Sequence, residues 1–164
     1  MTKQEIDVYY DCDWLFNTPE EKPIDTYIIG HLSIERTINA ILNLLLKNKP
    51  EIKIKEMNFY KKIQALYMLD ILSSKDYNIL NKFNQYRNKL AHENDFKLTV
   101  EDLKSLAKDI EETIFFEQFD IDNCLQYDDV QDIFGILTDI IGAIQHTLVD
   151  VCVKLNKREM IIKA

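Results

Sequence analysis

The scarcity of glycine and proline is the feature that most restricts the fold of this 164-residue chain. Only 3 Gly and 3 Pro occur in it, although 46% of its residues are hydrophobic. All-β folds need many tight turns, which rely on these two residue types. Long amphipathic helices need few of them, so the composition predicts an all-α fold. The length suits one domain with a hydrophobic core of its own.

Apolar residues recur at helical spacing along most of the chain. Pro23 stands where a helix start tolerates proline, and Thr99 with Asp102 resembles a capping box. Residues 1–23 lack clear periodicity and predict an irregular N-terminal arm, which leaves residues 24–164 as a single domain. The predicted bundle has five helices, at residues 24–47, 57–72, 74–93, 100–117 and 129–156.

The cysteines and the N-terminus indicate a cytoplasmic protein. Cys12, Cys124 and Cys152 are widely spaced, as expected of free thiols in a reducing compartment. The N-terminus is acidic and polar, unlike a secretory signal, and the apolar run Ala40–Leu46 is too short to span a bilayer. No residue spacing predicts a metal site or a cofactor. Three acidic residues are best interpreted as a solvated helix start: Asp128, Asp129 and Asp132.

Charge is distributed unevenly along the chain. The net charge of -8 disfavours a nucleic-acid partner if it is spread over the whole surface. Residues 47–98, however, hold 11 basic and 6 acidic groups, so the middle third is a basic island in an acidic protein. Five of its lysines are candidate contacts for RNA phosphates, with a solvated surface as the alternative: Lys53, Lys55, Lys61, Lys62 and Lys89.

Two charged residues interrupt apolar helix faces. Arg87 lies four residues after Phe83 and three before Leu90, and Glu35 lies between apolar residues of the first helix. A buried charge without a partner is costly, so we predict that Glu35 and Arg87 pair across the first and third helices. Such a pair would be either a structural salt bridge or part of a site. Alternatively, the pair does not form because one of the side chains extends to solvent.

The neighbours of Arg87 favour a site. Asn88 and His92 are four residues apart on one helix face, where the amide can orient the imidazole. An imidazole can move the proton of an attacking or leaving oxygen, and a guanidinium can neutralise charge on a phosphorane-like transition state. RNA supplies its own nucleophile, the 2′-hydroxyl. These residues therefore predict RNA cleavage without a metal, giving 2′,3′-cyclic phosphate and 5′-hydroxyl ends.

Other residues near this segment have two interpretations. His31 is one turn before Glu35, and it either joins the Glu35–Arg87 network or packs in the core. Three tyrosines of the basic third are expected to pack rather than to stack on bases: Tyr60, Tyr67 and Tyr77.

The segment Arg87-Asn-Lys-Leu-Ala-His92 resembles the R-x(4-6)-H motif of HEPN domains, including the Asn directly after the Arg. Residues 25–46 and 58–72 are similar to helices of HEPN proteins of the mannitol-repressor-like type, so the resemblance covers roughly residues 24–115. It implies that Arg87 and His92 are catalytic, that Asn88 supports them, and that Glu35 matches an acidic position that can hold the motif Arg.

The resemblance also implies a function and partners. Many HEPN proteins are homodimeric, metal-independent ribonucleases of toxin–antitoxin or antiviral defence systems, with two motifs facing across a shared cleft. Others serve as non-catalytic binding or regulatory modules. We therefore expect an endoribonuclease with RNA as its substrate and an antitoxin or regulatory protein as a partner. The alternative is a non-catalytic, protein-binding HEPN-like module.

Overall fold

The computed structural model describes residues 23–122, 126 and 133–163, and no strand occurs among them. This part of the chain confirms the all-α fold. Its body consists of five helices: α1 (Pro23–Leu45), α2 (Phe59–Met68), α3 (Ser74–His92), α4 (Val100–Ile110) and α5 (Ile133–Lys163). Short 3-10 turns occur at Ile54–Glu56 and Phe116–Gln118. Residues 1–22 of the predicted arm 1–23, Cys12, Cys124 and the acidic residues 128, 129 and 132 lie outside the described residues, whereas Pro23 is the first residue of α1.

Helices α1 and α5 form the most extensive helix pair of the described bundle. They approach closely because Gly30 of α1 has no side chain at the contact. A Cβ atom there would collide with Cδ1 of the buried Ile141 and lie 2.9 Å from its Cγ1. Because α5 covers one face of α1, the α1 residues His31 and Glu35 lie on another face, which contacts α2 and α3.

Helix α5 is long and apolar enough to cross a membrane by length and composition alone. Half of the apolar window Ile133–Arg158 is buried inside the bundle, where the helix packs against α1, α4 and the second 3-10 turn. Burial of this kind is compatible with the core helix of a soluble protein.

Two capping boxes define where α3 and α4 begin. The Thr99 and Asp102 side chains each bond to the other's backbone N–H, as the sequence predicts. Helix α3 is capped by Ser73, and Asp76 completes its box. The buried Asp76 carboxylate also accepts a hydrogen bond from the Ile114 backbone N–H at 2.9 Å, so it links the start of α3 to the chain that follows α4.

Helix α2 ends at Met68, four residues before its predicted end. Asp70 adopts a left-handed conformation with φ 56°, which few residues other than glycine favour. The Asp70 and Ile71 N–H groups donate to the carbonyls of Tyr67 and Leu66, the two bonds of a Schellman motif. Helix α4 likewise ends early, at Ile110, whose carbonyl accepts both the N–H and the hydroxyl of Thr113.

Candidate active site

A cleft of about 380 Å³ opens where α1, α2 and α3 meet. Asn58 stands at its edge and caps α2, with Oδ1 2.9 Å from the Lys61 backbone nitrogen. The lining comes from all three helices and the cap: His31, Glu35, Asn58, Phe59, Tyr60, Asn84, Arg87 and Asn88. The cleft thus brings together three of the four residues predicted to form the site, namely Glu35, Arg87 and Asn88.

Arg87 lies at the rim of the bundle rather than in the core. The fully buried face of α3 is formed by Ile79, Leu80 and Phe83 and ends at Asn84, whereas Arg87 is half-buried. Its Nη1 donates to Asn88 Oδ1 at 3.2 Å, and it forms no ion pair within the described residues. The guanidinium therefore keeps most of its donors available at the cleft.

The predicted Glu35–Arg87 ion pair is wrong, because Glu35 pairs with Lys62 of α2. The Lys62 Nζ and Glu35 Oε1 atoms are 2.6 Å apart, and the Lys62 side chain is only 5% exposed. A buried ammonium needs a counter-ion more than a guanidinium at the rim, which reaches solvent. Lys62 is consequently unsuited to the RNA-phosphate role suggested for it, since its charge is buried and already paired.

His31 packs in the core, as one of its two interpretations expected, and the Glu35–Arg87 network that the other required does not form. It is buried, with its ring 4.2 Å from the Phe59 ring between centroids, and it also lines the cleft. Its Nε2 is 3.0 Å from Asn84 Oδ1. Its Nδ1 is buried without a hydrogen-bond partner among the described residues. An acceptor at Asn84 places the ring proton on Nε2, so Nδ1 carries an unpaired lone pair.

The pKa of His31 is lowered, chiefly because burial disfavours the imidazolium. The Asn84 hydrogen bond and the Glu35 carboxylate oppose this shift, whereas the positive charges of Arg87 and Lys62 add to it. Neutral His31 is therefore the form that the folded protein stabilises.

A lowered pKa in the folded state predicts loss of stability in mild acid. Below the ordinary His pKa of 6.5, unfolded His31 takes up a proton that the folded protein resists. The free energy of unfolding should fall as the pH drops through this window, and it should level off once the folded-state pKa is passed. Urea unfolding at several pH values between 7.5 and 5.5 measures the slope. The variant His31→Gln should show a smaller slope, and equal slopes would contradict the prediction.

His92 is not part of the cleft formed by its own chain. It is exposed at the last residue of α3, and its imidazole forms no hydrogen bond with any described residue. His92 follows Arg87 by five helical positions, which turns the two side chains about 140° apart. The predicted Asn88–His92 contact is also wrong, because the Asn88 amide oxygen accepts from Arg87 instead.

The remaining candidate lysines are exposed, as a phosphate contact requires. Lys61 follows Tyr60 at the cleft, whereas Lys53 precedes the first 3-10 turn and Lys55 lies within it. Lys53 is 3.3 Å from Glu56, and the Lys89 Nζ is 5.3 Å from the centroid of the Phe96 ring. Both contacts are at the surface, where such interactions contribute little to stability.

A second cleft, of about 410 Å³, lies between α3 and α4, and it differs in its charges. Two of its lysines are matched by carboxylates, in the pairs Lys75–Glu112 and Lys82–Asp109. The cleft at Arg87 instead offers a cation without a carboxylate partner among the described residues. No group of three or more potential metal ligands occurs in the described part of the chain.

Asn84 is a site residue that the sequence reasoning missed. It is buried, it holds His31, and it lies one turn before Arg87 and Asn88 on α3. The signal that could have identified it is a polar residue directly after Phe83, inside the apolar sector of the helix.

The chain was compared with models of protein families, with curated proteins and with solved structures, and it matches none of them.

Proposed function

We propose that this protein is a metal-independent endoribonuclease of the HEPN type that acts as a toxin or antiviral effector. The observation that carries the proposal is the Arg87 guanidinium, which lines a cleft without an ion pair among the described residues. Guanidinium groups bind phosphate through two parallel N–H donors. Asn88 accepts from one nitrogen and helps to orient the group, which leaves the other donors for the phosphate.

The proposed reaction needs an imidazole beside the phosphate. A base removes the proton of the 2′-hydroxyl, the 2′-oxygen attacks phosphorus, and the bond from phosphorus to the 5′-oxygen breaks. The leaving 5′-oxygen takes up a proton from an acid. The products are a 2′,3′-cyclic phosphate and a 5′-hydroxyl, and His92 is the proposed group that moves these protons.

A homodimer would supply this imidazole. The Arg87 cleft of one chain lacks His92, which is exposed on the free end of α3 and accessible to a second copy. We propose that two copies associate so that His92 of each faces the Arg87 cleft of the other. This arrangement also brings two basic middle thirds together, each with a net charge of +5, and so attracts RNA despite the overall charge of -8.

The test is digestion of RNA by the purified protein in excess EDTA. We expect cleavage to continue, and we expect the new 5′ ends to accept a phosphate from a polynucleotide kinase without prior phosphatase treatment. Loss of cleavage in EDTA would overturn the metal-free mechanism, and products with 5′-phosphate ends would overturn attack by the 2′-hydroxyl.

The position of His92 favours a second candidate function. If two copies do not bring His92 to the cleft, the chain is a non-catalytic module that binds a protein partner. Size-exclusion chromatography with light scattering, together with the digest, separates the two functions, because only the nuclease requires a dimer and yields cleaved RNA.

A further inference from the structure

Three tyrosines form a cluster beside the Arg87 cleft, and of these Tyr77 packs against the core as expected, whereas Tyr60 and Tyr67 are exposed. Tyr60 and Tyr67 of α2 are 43% and 44% exposed, and Tyr77 of α3 is half-buried between them. The Tyr77 ring centroid is 6.3 Å from that of Tyr60 and 5.6 Å from that of Tyr67. We call these three residues the tyrosine ledge.

The ledge is continuous with the cleft. Tyr60 belongs to both, since it lines the cleft together with Arg87 and Asn88. Tyr67 lies two helical turns further along α2, about 10 Å away along the axis. Stacked bases repeat every 3.4 Å along a strand, so the ledge has the length of about three of them.

The charges around the ledge suit a polyanion. Helix α2 contains no acidic residue, and its Lys61 is exposed beside Tyr60, whereas the charge of Lys62 is taken up by Glu35. Exposed aromatic rings next to cations bind single-stranded nucleic acid, because each base offers a face for stacking while its phosphate meets a positive charge. A buried aromatic core cannot do this, and neither can a purely aliphatic patch.

We propose that the tyrosine ledge binds the bases of single-stranded RNA that flank the phosphate held at Arg87. This inference rests on the proposed nuclease function and specifies its substrate. Bases in a duplex are stacked on one another and cannot lie on the rings, so the ledge selects unpaired RNA.

Binding of an uncleavable RNA tests the ledge separately from catalysis. The probe is a fluorescent single-stranded oligonucleotide with 2′-O-methyl groups throughout, which lacks the nucleophile, and the readout is anisotropy with the full chain. We expect Tyr60→Leu and Tyr67→Leu each to weaken binding by about tenfold. Tyr60→Phe and Tyr67→Phe keep the ring and should bind within about twofold of the wild type.

Two further probes locate the effect at the bases. The first is the same strand with abasic sites opposite the ledge, which should bind equally to Tyr60→Leu and to the wild type. The second is a duplex of the same sequence, which should bind at least about tenfold more weakly than the single strand. Because Tyr60 and Tyr67 are exposed, their replacement should not unfold the protein, so weaker binding would not be due to misfolding. Circular dichroism with thermal melting of each variant checks this.

The outcomes separate the ledge from the nuclease. Wild-type affinity in both leucine variants, with RNA still cleaved, would overturn the ledge and leave the proposed function intact. Tyrosine-dependent binding without any cleavage would overturn the function and leave the ledge intact. The nearby Met68 is 75% exposed and serves as a control. If Met68→Ala and Tyr67→Leu both dissociate a dimer while RNA affinity is unchanged, the surface binds a second copy instead.

Discussion

Replacement of Arg87 by alanine is expected to slow RNA cleavage by about a thousandfold, and replacement of His92 by about a hundred- to ten-thousandfold. Arg87→Ala removes the donors that stabilise charge on the phosphate, and His92→Ala removes the group that moves the protons. Single-turnover cleavage of an end-labelled RNA measures both effects. Gln85→Ala, an exposed position on the same helix, is the matched control and should keep wild-type activity.

The structure makes Arg87→Ala a cleaner variant than the sequence suggested. With a Glu35–Arg87 pair, the substitution would leave a carboxylate without its partner. Because Glu35 is paired with Lys62, Arg87→Ala should change the free energy of unfolding by only about 0.5 kcal/mol. A folded Arg87→Ala protein that cleaves RNA at the wild-type rate would contradict the proposed mechanism.

Mixing the two inactive variants tests the shared site. If Arg87 of one copy works with His92 of the other, a heterodimer of Arg87→Ala and His92→Ala contains one intact site and one site that lacks both groups. Random reassociation then restores about a quarter of the wild-type sites. No recovery in a mixture that demonstrably exchanges subunits would show that both groups act from the same chain.

Replacement of Glu35 by alanine is expected to destabilise the fold by about 3 kcal/mol. The Lys62 ammonium would then be left buried without a counter-ion, which costs more than the loss of the contact itself. Urea unfolding followed by circular dichroism measures the change.

The lysine side of the same pair should behave differently. Lys62→Met removes the buried charge and keeps an unbranched chain in the core, while Glu35 is 25% exposed and can be hydrated. This variant should lie within about 1 kcal/mol of the wild type, and adding it to Glu35→Ala should restore most of the lost stability. If Glu35→Ala unfolds like the wild type, the ammonium reaches water and the pair is not a determinant of the fold.

Local sequence patterns predicted a helix boundary well wherever neighbouring residues in the chain determine it. Pro23 begins α1, and the Thr99–Asp102 box begins α4, because these interactions involve residues only a few positions apart. The end of α2 was missed, because it depends on a left-handed aspartate at residue 70 where sequence patterns look for glycine.

The site was predicted less completely, because it depends on how helices meet. Helical spacing correctly placed Glu35 and Arg87 toward a common cleft, but it gives no information on the relative heights of neighbouring helices. Lys62 was therefore as available to pair with Glu35 as Arg87 was. Glu35 pairs with Lys62 because the buried ammonium needs the counter-ion more. Full burial along α3 ends at Asn84, three residues before Arg87, and Leu90 is only partly buried, which helical periodicity did not reveal.

The position of Arg87 at the rim, outside every ion pair of the described bundle, separates folding from chemistry. The residues that hold α1, α2 and α3 together are not the guanidinium that the proposed reaction uses. One substitution at residue 87 would therefore leave the bundle folded and remove the guanidinium on which the proposed reaction depends. In such a fold, an active enzyme and an inert scaffold are neighbours in sequence space, and evolution can pass from one to the other without a compensating change elsewhere.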